Sequence, residues 1–405
     1  MEISRNGFLK SVGGLALVAA GRPAFGHERS QSVPGAGAPA KATRITGVEL
    51  LPFSIPKKVP QRNALGVTAS SDGVFVRLTT AEGVTGLGES APYAPVMGET
   101  LSSDLAVGKA LADIVKGRDA FAIPQVLEAM EAFAPHNPGI KAAFEMALWD
   151  ICGKVAGQPV FRLLGAYRDS FETDLTVHLE TPQEMARLAS DVVAQGFQCV
   201  KIKLGEAPAL DVERIRTIRA AVGPNIRLRV DANQAWSPAN AVVALAGLEP
   251  FGIEFCEQPV PYWDWANLKF VRSKARIPIM ADEAVSSPAD AITGVRMEAM
   301  DMINIKLMKS GGILRGARIA TIAEAANLLC MVGCMNETRV ALTAAAHLVL
   351  SQKSIRFADL DAFTQAAVDP VIGGMRVDKG IVRVPETPGL GVDVDPAFLK
   401  QQAAR

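Results

Sequence analysis

Acidic and basic side chains recur at the ends of short apolar runs in the second half of this 405-residue chain. Charges on buried strands are costly unless they are paired or bind a metal ion. A single core salt bridge would be ordinary, but six of eight runs carry such residues at the same end. The pattern therefore indicates a functional site. The residues are Lys201, Lys203, Asp231, Asn233, Glu257, Asp282, Glu283, Asn304, Lys306, Asp359 and Asp361.

Three of the acids suggest a metal site. Asp231, Glu257 and Asp282 end three successive runs. Three carboxylates that converge on one point repel one another unless a cation neutralises them. An all-oxygen donor set with open positions suits Mg²⁺, so we expect one ion per subunit. The alternative is that the acids pair only with the lysines.

Two lysines suggest proton transfer. Lys203 and Lys306 come from runs on opposite sides of the acid cluster. A lysine becomes a general base when desolvation or a nearby cation lowers its pKa, and Lys201 and the metal ion would provide positive charge near Lys203. Two opposed bases let a proton leave one face of a carbon and return on the other, which is racemisation or epimerisation. A salt bridge to the acids is the alternative role.

An acid pair follows in FADLDAF, residues 357–363. Residues i and i+2 of a strand point to the same side, so Asp359 and Asp361 are predicted to direct two negative charges at one place. Because the metal already has three carboxylates, we expect the pair to hold another cation, and a free α-ammonium group fits. The alternative is that the acid pair is solvated, or that it supports the residues that contact the substrate without contacting the substrate itself.

Eight strand-helix units are predicted to position these residues. Alternating strands and helices predict a parallel sheet, and eight units over about 190 residues predict a closed (β/α)8 barrel with its chemistry at the carboxyl ends of the strands. An open doubly wound sheet usually has a glycine-rich loop after its first strand, and TDLTVHLETP has none. The predicted strands are residues 173–179, 198–204, 227–233, 253–259, 277–283, 301–307, 327–333 and 355–361.

The flanking regions have a different pattern. Residues 44–165 are predicted to form an α+β capping domain, completed by residues 370–399, beside a barrel domain of residues 166–369. Short runs bounded by turn residues predict the cap's strands, and helical periodicity predicts its helices. The predicted elements are strands at ITGVELLPF, GVFVRLTT and VTGLGES, a loop at residues 56–67, and helices at residues 101–132 and 139–157.

Residues 1–43 are predicted to form an export signal and a linker. A charged segment with Arg5 and Lys10 precedes the apolar SVGGLALVAA and a stretch rich in Gly, Pro, Ala and Ser. Ten apolar residues are too few to span a bilayer, so we expect no stable membrane anchor. SRNGFLK resembles the twin-arginine export motif, with Asn6 in place of the second arginine. We expect cleavage between residues 20 and 43 and export to the periplasm; without a working signal the chain would stay cytoplasmic.

Composition excludes some functions. The chain has 42 Lys and Arg residues and 42 Asp and Glu residues, so it lacks the basic excess of a nucleic-acid-binding protein. It has no zinc-type Cys/His spacing, P-loop, HExxH or GxSxG motif. We expect its five scattered cysteines to be small buried thiols.

Six short motifs lie along the chain: GLGES (86–90), KIK (201–203), VDANQ (230–234), EQP (257–259), ADE (281–283) and INIKLMKSGG (303–312). With these motifs, the sequence from about residue 44 to 395 resembles the muconate lactonizing enzyme subgroup of the enolase superfamily. The resemblance implies a capping domain over a barrel, with Asp231, Glu257 and Asp282 as Mg²⁺ ligands and Lys203 and Lys306 as the two acid/base groups. The family's chemistry removes the proton next to a metal-bound carboxylate, and Mg²⁺ stabilises the enolate.

Within that subgroup, the acid pair favours one reaction. An Asp-x-Asp at this barrel end resembles the dipeptide epimerase signature, where it clamps the N-terminal ammonium of the substrate. YRDSFETDLTV (167–177) and CMVGCMNET (330–338) also look like that group. Besides Asp359 and Asp361, the resemblance implies these substrate contacts: Thr176, Lys201, Asn233, Gly333, Cys334 and Met335.

The resemblance therefore implies a Mg²⁺-dependent dipeptide epimerase that inverts the α-carbon of the C-terminal residue, and it makes L-Ala-D/L-Glu the leading substrate. The cap loops near residues 56–67 and 91–99 should read the substrate side chain, and Lys57, Lys58 and Arg62 could pair with a glutamate. N-acylamino acid racemase and o-succinylbenzoate synthase are the nearer alternatives. An exported peptide-binding protein without catalysis is a remote one.

Two further expectations concern assembly and specificity. The chain is expected to form a homo-oligomer. His178 and Asn336 depart from the pattern of the Ala-Glu enzymes and could alter substrate choice, although a hydrogen-bonded structural role is the alternative for both.

Overall fold

The computed structural model describes residues 41–404. The predicted export signal therefore lies outside the described residues, apart from Lys41–Thr43, which form a short 3-10 helix. In the part of the chain that is described, no helix combines the length and the apolar character needed to cross a membrane.

The N-terminal part is built on a three-stranded antiparallel sheet of β1 (Ile45–Asn63), β2 (Gly66–Thr80) and β3 (Thr85–Ser90). The loop predicted at residues 56–67 is wrong, because this segment is the far end of a hairpin. Asn63 pairs with Gly66 beyond a register shift that follows Pro56. The sequence of this segment is polar, as loop sequences are, because a hairpin that projects into solvent needs no apolar face.

Five helices follow in chain order. The single helix predicted at residues 101–132 is wrong, because helix α2 (Leu101–Val115) ends before Gly117, whose left-handed φ of 82° breaks the helix. The second prediction, at residues 139–157, corresponds to helix α4 (Pro138–Ala156). The helices are α1 (Ala94–Met97), α2 (Leu101–Val115), α3 (Ile123–Phe133), α4 (Pro138–Ala156) and α5 (Val160–Leu163).

The GLGES motif lets helix α4 lie directly on β3. A Cβ atom at Gly86 would be 2.1 Å from the carbonyl oxygen of Ala147, and one at Gly88 would be 1.9 Å from that of Ala143. No side chain fits at those distances, so the two glycines have a packing role. They hold the sheet and the helix together beside the barrel.

Eight parallel strands form the main sheet, in the order β12-β11-β10-β9-β8-β7-β6-β5. The backbone N–H of Asp174, just before β5, donates to the carbonyl oxygen of Ala358 at the end of β12 at 3.3 Å, so the sheet curls until its edge strands adjoin. The predicted barrel is confirmed. Its strands are β5 (Leu175–Val177), β6 (Cys199–Lys203), β7 (Arg227–Asp231), β8 (Ile253–Glu257), β9 (Ile279–Ala281), β10 (Met302–Ile305), β11 (Leu329–Val332) and β12 (Ile355–Ala358).

Helices cover the outside of this sheet, and most of them begin at a polar cap residue or at a proline. Thr181, Ser237, Ser287 and Thr338, for example, each accept a backbone N–H in the first turn of the helix they precede. The helices are α6 (Pro182–Ala194), α7 (Pro208–Val222), α8 (Pro238–Leu248), α9 (Trp265–Lys274), α10 (Pro288–Met297), α11 (Leu307–Ser310), α12 (Ile313–Ala325) and α13 (Arg339–Ser351).

The C-terminal segment contacts both parts. Its strand β15 pairs with β4 at the start of the barrel region, and the N–H of Leu390 donates to Asp150 of α4 at 2.8 Å. The predicted domain boundaries stay a prediction. The elements are β4 (Phe171–Glu172), β13 (Val371–Gly373), β14 (Arg376–Asp378), β15 (Ile381–Arg383), β16 (Val392–Val394) and α14 (Pro396–Ala403).

A buried glutamate of the N-terminal part caps a barrel helix. Glu145 of α4 accepts the first backbone N–H groups of α12, from Ile313 and Leu314, each at 2.8 Å. It also accepts the indole N–H of Trp149 at 2.8 Å. One side chain thus satisfies three donors and joins two elements that are 168 residues apart in sequence.

We expect Glu145→Ala to destabilise the protein by about 1–3 kcal/mol, because buried donors without an acceptor pay the desolvation penalty in full. Chemical denaturation followed by fluorescence measures the effect. The matched control is Glu128→Ala, an exposed change on α3 that should stay within about 0.5 kcal/mol. Equal denaturation midpoints for the two variants would show that the cap contributes nothing.

Candidate active site

The charged residues meet inside the barrel because alternate residues of a strand point to one side. Lys201 of β6 lies at their centre. Its ammonium is 2.7 Å from Glu257, 3.3 Å from Asp231 and 2.7 Å from Asp359. Lys201 thus holds acids from two neighbouring strands and from the turn that follows the last strand of the sheet.

A packed layer closes the barrel beneath this cluster. Arg229 of β7 packs against the rings of Phe255 and Phe357, with its guanidinium carbon 5.3 Å and 5.0 Å from their centroids. It also pairs with the buried carboxylate of Asp174 at 2.7 Å. The interior below the site is therefore filled, and the open space lies at the carboxyl ends of the strands.

The three acids of the predicted metal site are fully buried, and each pairs with a lysine. Lys203 lies 2.6 Å from Asp231, and Lys306 lies 2.8 Å from Asp282; Glu257 pairs with Lys201. Among the described residues, the group of three acids or thiols with ligand atoms within 4.8 Å of one another is Cys334, Asp359 and Asp361. The predicted triad thus occupies adjacent strand ends without converging that closely.

The pKa values of the triad follow from burial and from these pairs. Burial raises the pKa of Glu257 to about 7, and the charges of its two neighbouring acids add to the effect. Burial acts in the same direction on Asp231, but Lys203 and Lys201 outweigh it and lower the pKa. Lys306 and Lys309 likewise lower the pKa of Asp282 against the effect of burial.

The two predicted acid/base lysines lie on opposite sides of one cavity. Lys203 ends β6 and Lys306 follows β10, four strands further around an eight-stranded sheet, and both line the cavity. Burial acts to lower the pKa of Lys306, but Asp282 and Glu257 outweigh it and raise the pKa. The sequence led us to expect a lowered pKa for a general base. Lys306 does not have one, because the charged acids beside it raise its pKa.

Formal charge favours a divalent cation. Among the twelve buried charged groups named below, seven carboxylates and five ammonium groups give seven minus five, an excess of two negative charges. In addition, Asn233 Oδ1 and Glu283 Oε2 are buried without a hydrogen-bond donor among the described residues. This all-oxygen set fits Mg²⁺. The charged groups counted are Lys57, Lys201, Lys203, Asp231, Glu257, Asp282, Glu283, Lys306, Lys309, Glu337, Asp359 and Asp361.

The acid pair meets for a different reason from the one predicted. Strand β12 ends at Ala358, so Asp359 and Asp361 lie in the turn after it rather than on one face of a strand. Asp359 is already bound by Lys201, whereas Asp361 accepts the backbone N–H of Thr176 at 2.7 Å. Asp359 therefore already faces a protein cation, and the assignment of the acid pair to a substrate ammonium stays a prediction.

Electrostatics distinguishes the two acids. Burial acts to raise the pKa of Asp359, but Lys201 and Lys203 outweigh it and hold the pKa at about 2. Burial and the charge of Asp359 raise the pKa of Asp361 to about 6. Burial also raises the pKa of the Cys334 thiol well above its ordinary value. The two carboxylates of this corner can accept charge-assisted hydrogen bonds from an ammonium group.

The remaining predicted contacts divide into two groups. Thr176, Asn233, Cys334 and Met335 line the cavity. Gly333 instead supports it from behind, since a Cβ atom there would lie 2.8 Å from the amide of Asn304, which donates to Glu257 at 2.8 Å. The predicted residues that do not line the cavity are Lys201, Asp231, Glu257, Asp282 and Gly333.

Sequence reasoning found no role for Lys309 and no specific role for Glu283, and it assigned Lys57 only to a substrate glutamate. Lys309 lies 2.6 Å from Asp282, and its position one turn after Lys306 was the available signal. Glu283 lines the cavity. Lys57, from the β1 hairpin, is buried with no hydrogen-bond partner for its ammonium among the described residues, and burial lowers its pKa.

His178 and Asn336 both line the cavity. Both ring nitrogens of His178 are buried and lack a hydrogen-bond partner within the described chain. Burial, with the nearby charge of Lys203, lowers its pKa to about 4. His178 is thus a neutral imidazole at neutral pH. The five cysteines are all free and buried, as predicted.

Two family models cover most of the described chain. Residues 45–165 match the mandelate racemase/muconate lactonizing enzyme N-terminal domain, and residues 184–398 match the enolase C-terminal domain-like family. The chain belongs to the enolase superfamily. The predicted resemblance and the predicted barrel with an α+β cap are thereby confirmed.

Similar members of the superfamily include dipeptide epimerases. An L-Ala-D/L-Glu epimerase of Clostridium acetobutylicum is 39% identical, with 84% of this chain and 96% of that protein aligned. A hydrophobic dipeptide epimerase of Enterococcus faecalis is 41% identical, with 81% and 94% aligned. The crystal structure of a dipeptide epimerase from Cytophaga hutchinsonii, complexed with Mg and D-Ala-L-Val, has a TM-score of 0.87 at 39% identity and covers 88% of this chain and 98% of its own.

Proposed function

We propose that this chain is a Mg²⁺-dependent dipeptide epimerase that inverts the α-carbon of the C-terminal residue. The observation that carries the proposal is the placement of Lys203 and Lys306 on opposite sides of one cavity. The similarity of the chain to dipeptide epimerases, over more than four-fifths of its length, supports the choice of a dipeptide as the substrate.

Proton transfer is assigned to the two lysines. The neutral form of one removes the α-proton, and the ammonium of the other delivers a proton to the opposite face. Their roles exchange in the reverse direction, so either epimer can be the substrate. Asp231, Glu257 and Asp282 would hold Mg²⁺. Bound there, the ion supplies positive charge that stabilises the negative charge developing on the substrate carboxylate.

The ammonium of the substrate is assigned to the acid pair. Around this corner lie three carboxylates, from Asp359, Asp361 and Glu337, against the ammonium groups of Lys201 and Lys57. Three minus two leaves one negative charge, which a substrate ammonium would balance. A charge-assisted hydrogen bond to Asp361 would also fix the peptide in one direction.

A second candidate reaction is N-acylamino acid racemisation, and one observation favours it. The buried ammonium of Lys57 has no hydrogen-bond acceptor among the described residues, and it lies near Asp361 at the end of the cavity where the amino group of a dipeptide would bind. An acyl group that ends in a carboxylate, such as succinyl, would provide the hydrogen-bond acceptor that the Lys57 ammonium lacks. The net negative charge of the corner is the argument for the dipeptide.

Deuterium exchange tests the proposed function. The protein is incubated in D₂O with Mg²⁺ and a mixed library of L,L-dipeptides and N-succinyl amino acids, and the mass of each compound is followed. We expect a gain of one deuterium in a subset of the dipeptides, and loss of that exchange when EDTA removes the metal. Exchange confined to N-succinyl amino acids would select the second candidate, and exchange in neither class would refute both.

The proposal also covers where the protein acts, where its substrate comes from and its oligomeric state. The charged, apolar and small-residue order of residues 1–43 supports export to the periplasm. Peptides released from peptidoglycan would be accessible there. We also propose a homo-oligomer. Fractionation of cells that express the full chain and light scattering of the purified protein test these two statements.

A further inference from the structure

We infer that the site takes dipeptides whose C-terminal residue has an uncharged side chain and discriminates against glutamate. This inference rests on the proposed function. It comes from the face of the cavity formed by the N-terminal part, which opposes the barrel. Within the described chain this face carries neither a cation nor a carboxylate. Its lining residues are Gln61, Asn63, Leu65, Thr68, Tyr93 and Val96.

The basic residues of the β1 hairpin point elsewhere. Arg62 is bound to Glu206 at 2.6 Å, and the ammonium of Lys58 donates to the carbonyl oxygen of Thr364 at 2.8 Å. Neither residue lines the cavity. Both are therefore occupied outside the cavity, and the sequence-based pairing of these two residues with a substrate glutamate has no geometric support.

Lys57 is the third basic residue of the hairpin, and its surroundings are acidic. Its side chain is buried, and the acids whose charges act on it are Asp361 and Glu337. It thus lies at the corner assigned to the substrate amino group. A side chain on the epimerised residue would have to reach past the peptide bond to meet it.

The barrel face offers no free cation either. Lys203 and Lys306 line the cavity, but both are already paired and are assigned to proton transfer. Lys203 lies 2.6 Å from Asp231, and Lys306 lies 2.8 Å from Asp282. Glu283 lines the same cavity and offers a carboxyl group rather than a cation. A glutamate side chain would therefore be buried without a counter-ion, which is costly.

The lining instead matches neutral groups. Leu65, Tyr93 and Val96 provide apolar surface, while Gln61 and Thr68 provide an amide and a hydroxyl. The face also lacks a carboxylate that would bind a lysine or arginine side chain. Neutral residues, both aliphatic and amide-bearing, are thus the substrate class that this surface fits.

Two nearly isosteric dipeptides test the inference. L-Ala-L-Gln and L-Ala-L-Glu differ in one charge and hardly in shape, so the ratio of their kcat/KM values for epimerisation isolates the effect of charge. We expect kcat/KM for L-Ala-L-Gln to exceed that for L-Ala-L-Glu by about tenfold or more. A tenfold ratio corresponds to about 1.4 kcal/mol, and burying an unpaired charge costs more than that. Calorimetric dissociation constants for the two peptides should differ in the same direction.

A variant adds the missing cation. Leu65→Arg should shift the glutamine-to-glutamate ratio towards glutamate by about tenfold, whereas Leu65→Met, which adds no charge, should leave the ratio unchanged. Thr68→Lys serves the same purpose if Leu65→Arg does not fold.

The outcomes separate the two proposals. Equal or better turnover of L-Ala-L-Glu by the unmodified protein would overturn the specificity inference while the epimerase proposal stood. Failure to epimerise either peptide or any neutral dipeptide would overturn the proposed function itself.

Discussion

Lys203→Ala and Lys306→Ala are each expected to lower the rate of epimerisation by about 10³-fold or more, because each removes a group that must handle the proton on one face of the α-carbon. The two lysines follow strands that are four positions apart in the eight-stranded sheet, so neither can replace the other. Chromatographic separation of the two diastereomers measures the rate. Circular dichroism checks that both variants remain folded.

The lysine variants also differ in a way that a structural role would not produce. If each base serves one epimer, one variant should still exchange the α-proton of the L,L-peptide with D₂O, and the other should exchange only that of the L,D-peptide. Lys353→Ala, an exposed change after α13, is the matched control and should retain full activity. Full activity in either barrel variant would refute the two-base mechanism.

Asp361→Asn should lower kcat/KM for dipeptides by about 10- to 100-fold, the equivalent of about 1.5–3 kcal/mol for a hydrogen bond to a charged group. The change keeps an oxygen that can accept the Thr176 N–H and removes only the charge. Asp359→Asn should have at least this effect, because it also leaves Lys201 without one of its three acids.

N-acetylated dipeptides turn this expectation into a double-mutant cycle. They lack the ammonium, so the unmodified protein should process them poorly, and Asp361→Asn should cause no further loss. Asp378→Asn, an exposed change on β14, is the control for the loss of a carboxylate. If acetylation of the substrate and Asp361→Asn have additive effects, the acid pair does not bind the ammonium.

The barrel was predictable because its signals are local. Each of its eight strands is an apolar run of a few residues followed by a helical pattern, and the polar residues at the strand ends stand out against that background. The errors lie where solvent exposure removes the apolar pattern. The β1–β2 hairpin beyond Pro56 has no buried face to mark it as a strand, and a single left-handed glycine, Gly117, divides α2 from α3.

The pairing of charges inside the site was not predictable from the sequence. Lys201 and Asp359 are 158 residues apart, and only the closure of the sheet brings them to 2.7 Å. For the same reason, spacing showed that lysines and acids share the barrel end but not which lysine binds which acid. The electrostatic role of Lys57 was hidden as well, because a lysine in a polar hairpin resembles an ordinary surface residue.

The central claim is that two opposed lysines invert the α-carbon of a dipeptide. The most direct measurement uses one pure L,L-dipeptide in D₂O with Mg²⁺ and follows both diastereomers by mass at early times. The two-base account predicts that the L,D-product carries one deuterium from its first appearance, because its new α-hydrogen comes from the second lysine, which has exchanged with solvent. Deuterium that enters the L,L-peptide without any formation of the L,D-product would contradict inversion, and the absence of both would contradict catalysis on dipeptides.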